Sequence, residues 1–252
     1  MTRYETSASG KAIPDADATS PVFDWAKPEE WHPILAAARE RPGARVGTRE
    51  MRALFPAVRA YHAARPLSPA TYLAQGIRPL TAESWQNLVA ECFLANEPPP
   101  VTAAIRAAAS RQFALVGEGM GPRTGRVHFC ADARLLTERD GYHLLYGSLS
   151  LLAVAIQVDN ALGTDLKSTL RQRGVPTVFV CNVATALMTD GDLAQLASHL
   201  MRALDHGTAI GPETLLGCHF SIQGKLPPTA ILAKFHPERV VDWVYGRHIG
   251  AV

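Results

Sequence analysis

Three short, strand-like runs in this chain each carry a histidine: AVRAYHAA (57–64), RVHFC (126–130) and the run around CHFSIQG (218–224). The imidazoles of His62, His128 and His219 are neutral or charged according to small changes in surroundings, which suits them to proton transfer or ligand binding. A lone histidine on an apolar strand is more often a satisfied core residue. For His62 the context favours a ligand, because Arg65 follows at the strand end and Gly76-Ile77-Arg78-Pro79 closes the next helix. A fourth group, GYHLLYGS (141–148), places Tyr142 and Tyr146 four residues apart on one helical face, with His143 and Gly147 beside them. These residues either line the same groove or turn polar tips to solvent. Among acidic candidates, Glu213 follows a Gly-Pro turn, a common place for a first-turn helix carboxylate, and Glu138 and Asp140 read as capping charges for the helix that follows. The cysteines Cys92, Cys130, Cys181 and Cys218 are widely spaced among apolar neighbours, with no CxxC pair. That reads as buried free thiols and suggests no metal site.

Alternating and helical patterns supply the elements that must position these residues. Residues 1–22 read as a flexible arm, and 23–55 as a helical extension with helices at 32–40 and 48–55. The segment 68–79 has Ser68 to cap, Pro69 in the first turn and Gly76 to end the helix. Helices are expected at 82–95, 100–116, 142–158, 165–174 and 191–207. The apolar run 175–183 is the clearest buried strand, and 215–237 reads as strand, Gly-Lys turn, Pro-Pro step and strand. Strands and helices in no strict βαβ alternation indicate an α+β fold.

The bulk numbers exclude several classes. With 47% hydrophobic and 19% charged residues, the chain is neither disordered nor fibrous. The greasiest run, 144–158, is interrupted by Tyr146, Gly147, Ser148, Ser150 and Gln157, too short and polar to span a bilayer. The N-terminus lacks a signal-peptide core, so the expected place is the cytosol, unless a specialised secretion system exports the protein. A net charge of +2 does not argue for nucleic acid, although seven arginines cluster between Arg39 and Arg65. Neither a GxGxxG after a strand nor a GxxxxGK[ST] occurs, which leaves Rossmann and P-loop chemistry unsupported.

AYHAARPLSPATYLAQGIRPL (60–80) resembles the opening motif of the ADP-ribosyltransferase superfamily, in the branch of poly(ADP-ribose) polymerases and RNA 2′-phosphotransferases. GRVHFCAD (125–132) looks like that family's second strand, and LPPTAIL (226–232) resembles its later Pro-Pro step. The likeness spans roughly residues 57–235, with long unmatched stretches. It implies a split mixed or antiparallel β core with peripheral helices over 56–252, binding NAD as substrate. Tyr61, His62, Arg65 and Gly76 would lie along the cofactor, His62 bonding the adenosine ribose. His128 would stack on nicotinamide with Phe129 beside it, and Tyr146 would line the groove. Ala63 stands where the family usually has glycine. The family's catalytic glutamate opens a late strand; counting back from the Pro-Pro step reaches His219, with Glu213 six residues upstream and Gln223 four downstream. His128, Glu213 and His219 are therefore the catalytic candidates.

The activity implied is transfer of ADP-ribose from NAD to a protein or nucleic acid, as bacterial toxins, effectors or phage-defence enzymes do. Two other functions fit the same residues. One is an inactive NAD- or ADP-ribose-binding or protein-interaction module; the other is an RNA 2′-phosphotransferase-like enzyme using Arg65, Arg123 and Arg126.

Overall fold

A computed structural model of the chain describes residues 21–40, 47–94, 97–118, 125–206, 219–242 and 247–250. Its centre is strand β2 (Ala57–Ala64), where apolar residues bury both faces. The sheet order is β5-β3-β2-β4-β6, all pairs antiparallel, with β3 at Arg126–Cys130, β4 at Thr177–Ala184, β5 at His219–Gln223 and β6 at Ile231–Phe235. The two-residue strand β1 (Val22–Phe23) adds in parallel at Ala57 and Val58. The architecture is α+β, as the irregular alternation of elements suggests.

The helices are α1 (Pro28–Arg39), α2 (Thr48–Leu54), α3 (Ala70–Gln75), α4 (Ala82–Phe93), α5 (Pro99–Glu118), α6 (Ala133–Glu138), α7 (Tyr142–Tyr146), α8 (Leu149–Leu162), α9 (Leu166–Gln172) and α10 (Asp190–His206). The expected single helix over 142–158 is two. Gly147 adopts φ 81°, and the Ser148 hydroxyl accepts from the Leu151 amide at 3.0 Å, starting α8 afresh. Apolar residues continue across the break, so composition conceals it. A hairpin that sequence patterning did not suggest, β7 (Arg239–Asp242) with β8 (Arg247–Gly250), forms a second small sheet. It presses on the α6–α7 turn so closely that a Cβ on Gly141 would stand 2.2 Å from the Val241 carbonyl oxygen.

The described residues between 23 and 55 share the core with the rest. Phe23, Trp25, Trp31 and Phe55 are buried with their rings in mutual contact, and they belong to the same apolar cluster as Phe129 and Phe179. Several of the clustered arginines hold elements together. Arg52 donates to Asp190 and the Met188 carbonyl, and Arg59 donates to Asn182. Among the described residues no disulfide joins Cys92, Cys130 or Cys181, and no helix is long and apolar enough to cross a membrane.

The exit of α3 and the step before Pro227 and Pro228 meet in space at Gly76. Ile77 and Leu226 exchange both main-chain hydrogen bonds, at 3.0 and 2.8 Å. Gly76 has φ 79° and ψ −177°, and an added Cβ would lie 2.1 Å from the Leu226 carbonyl oxygen. Only glycine fits, for both dihedral and steric reasons. Gly76→Ala should therefore destabilise the protein by roughly 2 kcal/mol or more, read as a fall in urea midpoint; an unchanged midpoint would contradict this bridge.

Candidate functional site at the split in the sheet

Strands β2 and β3 touch in register at one pair only, Tyr61 and Cys130, whereas β3 pairs with β5 along its whole length. The β2 edge facing β3 is thus shared. β1 takes Ala57 and Val58, β3 meets Tyr61, and beyond that residue the two strands part. His62 stands at this opening, half-buried, with its Nδ1 2.9 Å from the His128 carbonyl oxygen. A carbonyl only accepts, so Nδ1 carries the hydrogen and Nε2 becomes the acceptor nitrogen. Burial lowers the His62 pKa, which favours this neutral tautomer.

Strand alternation sends side chains to two different faces. His62 lies on the apolar face, 5.8 Å from Phe129 and 6.2 Å from Tyr72 between ring centroids; Tyr72 stacks on Phe179 at 4.7 Å. The register puts His128, Cys130, His219 and Ser221 on the opposite face. His128 is exposed and pairs with Ser221; His219 is exposed, opens β5 and pairs with Cys130. The Cys130 Sγ is 3.1 Å from His219 Nδ1, and His219 Nε2 is 3.2 Å from Asp140 Oδ2. Asp140 comes from the α6–α7 turn, where its amide donates to the Leu135 carbonyl at 2.7 Å. Its carboxylate reaches β5 instead of capping the next helix.

Helix α7 passes the opening. Near its start, His143 is within electrostatic reach of His62, Asp140, His219 and His128. Burial first, then His62, holds the His143 pKa down at about 3, and it is neutral at ordinary pH. The far end of α7 supplies Tyr146 and Gly147 to a cavity of about 320 Å³, which Ala64, Arg65, Tyr72 and Arg173 also line. That volume is at the lower end for small-molecule sites. Tyr72 belongs both to the cavity wall and to the His62 surroundings, which makes the two neighbours on one face.

The other expected residues have defined places. Tyr61 is half-buried beside Cys130, with burial raising its phenol pKa. Phe129 stacks on Phe220 at 5.6 Å. Arg65 donates from Nε, Nη1 and Nη2 to the carbonyls of Arg173, Leu144 and Arg171, tying β2 to α7 and α9. Burial, with Arg171 nearby, lowers its pKa to about 10. Tyr146 is buried and donates to Asp242 at 2.8 Å. Arg126 donates to the Ser221 hydroxyl at 3.0 Å. Gln223 is exposed at the far end of β5, opposite Arg126. Glu213 and Arg123 lie outside the described residues.

Sequence reading missed Asp140 and Cys130. The first looked like a capping charge, and the second was hidden among apolar neighbours; neither spacing reveals a contact made across strands. No family model, curated protein or solved structure matches the chain.

A neutral His143 links the site to acid sensitivity. Unfolded histidine titrates near 6.5, while folded His143 stays unprotonated down to about 3. Between those values the unfolded chain binds a proton that the folded chain excludes, so stability is lost as pH falls through this window. Urea midpoints at about pH 7.5 and about pH 5 should differ less in His143→Gln than in the parent protein. An equal difference would remove His143 as the source.

Proposed function

We propose that the protein is an ADP-ribosyltransferase-type enzyme that cleaves the glycosidic bond of NAD at the split between β2 and β3. The observation that supports this reading most is the meeting of three segments distant in sequence. The strands bearing His62, His128 and His219 are neighbours, and the Gly76 exit is hydrogen-bonded to the step before Pro227 and Pro228. Their order along the chain and their likeness to the family's motifs are properties of sequence; their adjacency is independent of both.

In this reading each residue has a physical task. The Nε2 of His62 accepts a hydrogen bond from a ribose hydroxyl, a role that the Nδ1–carbonyl bond prepares. The cavity beside Tyr72 takes an aromatic base on the His62 face, and the ligand passes through the split, beside α7, to the face that carries His219 and Asp140. Asp140 is the carboxylate beside His219, the position reached by counting back to the family's glutamate. A carboxylate aimed at the oxocarbenium-like charge that grows as nicotinamide leaves lowers the barrier; losing one such preorganised group typically slows turnover ~10²–10³-fold. The acceptor, protein or nucleic acid, would approach from the exposed His128 side. The 2′-phosphotransferase alternative depends on arginine, and Arg65 and Arg126 both have internal partners.

Nicotinamide release from NAD by the purified chain tests this reading. Asp140→Asn should reduce the rate about 100-fold or more with NAD binding retained. His62→Ala should weaken binding, measured by calorimetry. Binding without turnover in the parent protein would indicate a non-catalytic module, and no binding at millimolar NAD would sink both.

A further inference from the structure

The cluster of Cys130, His219 and Asp140 has a feature that the cleft reading does not use. An imidazole that relays charge between a thiol and a carboxylate holds them at opposite ends of its ring. Here one donor atom from each of the three residues lies within 4.8 Å of the other two, so sulfur and carboxylate oxygen stand on the same side. Three donors converge on one point. We propose that this point is a binding site for a zinc-class divalent transition metal.

The donor set and its geometry carry the proposal. A thiolate, an imidazole and a carboxylate combine soft, borderline and hard ligands, the mixture that zinc accepts and calcium or magnesium does not. Tetrahedral zinc, with bonds of about 2.0–2.3 Å, keeps its ligand atoms roughly 3.3–3.7 Å apart. Cys130 Sγ lies 3.1 Å from His219 Nδ1 and Asp140 Oδ2 lies 3.2 Å from His219 Nε2, so each already approaches one ring nitrogen, and rotation of the exposed His219 ring would aim a single nitrogen at the metal. Two of the ligands are fixed to each other by β-pairing, Cys130 opposite His219. The third is fixed by its backbone, through the Asp140 amide bond to Leu135 and the approach of Gly141 to β7. Cys130 is 3% exposed, whereas the side chains of Asp140 and His219 are 18% and 49% exposed. Solvent therefore reaches one side, leaving a fourth position for water, as in zinc sites with three protein ligands. Sequence spacing conceals such a site because its ligands lie on β3, the α6–α7 turn and β5.

The metal site stands without the NAD reading. If both hold, metal draws Asp140 away from the cleft, and zinc and NAD turnover oppose each other.

The test is titration of the reduced full-length chain with Co²⁺, followed by displacement with Zn²⁺. The expected result is one Co²⁺ per chain, with a near-ultraviolet sulfur-to-cobalt charge-transfer band and the visible bands of tetrahedral cobalt. Cys130→Ser should abolish the charge-transfer band, and His219→Ala on the exposed strand end should weaken binding at least tenfold. Cys92→Ser should leave the band intact, and His62→Ala should retain the metal while losing NAD, which separates this proposal from the preceding one. Absence of a sulfur band in the parent protein, or unchanged affinity in both Cys130→Ser and His219→Ala, would overturn it.

Discussion

The edge of β2 that faces β3 has two claimants, and the rest of the site follows from how they divide it. β1 pairs with Ala57 and Val58, β3 reaches Tyr61, and among the described residues the last positions of the strand have no ladder partner there. Main-chain polar groups left at a sheet opening must find other partners or water. The His128 carbonyl finds one in the His62 ring. The same bond that closes the gap sets the histidine tautomer, so a structural requirement and a chemical one are satisfied by one contact. The N-terminal strand thereby takes part in shaping the opening, although it lies far from the motifs.

Electrostatics around the opening follow from burial first and from neighbouring charge second. Burial, then His62, keeps His143 neutral down to about pH 3, while His128 and His219 are exposed to water. Asp140 is the counter-charge, acting on His143 and standing at ion-pair distance from His219. Its placement depends on two remote features. The hairpin β7–β8 presses against Gly141, and Arg65 pins the Leu144 carbonyl on α7. A residue expected to contact ligand thus works, in this structure, as a three-way clamp on the main chain. Tyr146 likewise anchors α7 through buried Asp242. Both residues still border the cavity, and their hydrogen bonds fix its wall.

Much of the local structure was legible because it is written in local terms. The strands 57–64 and 126–130 have the boundaries that their apolar, aromatic and β-branched runs suggest, and the glycine that ends α3 does have a positive φ. Helical periodicity located α4, α5, α9 and α10 to within a few residues. Where reading failed, the deciding force was local but masked, or distant. The break at Gly147 lay inside an uninterrupted greasy pattern. The β7–β8 hairpin belongs to a different sheet, whose partner surface is the α6–α7 turn.

Residue types and spacing by themselves determined that three histidine-bearing strands exist, that a glycine exit follows the first and that the fold is α+β. These depend on near neighbours, through propensity, capping and alternation. Only the tertiary structure decided which strands lie side by side, that β2 and β3 separate after a single pair, and that Asp140 and Cys130 meet at His219. Such contacts join residues as distant in the chain as Ala57 and Ala184, or Cys130 and His219. They arise from competition for one sheet edge and from packing of the hairpin against a turn, and no short-range pattern in the chain records the outcome.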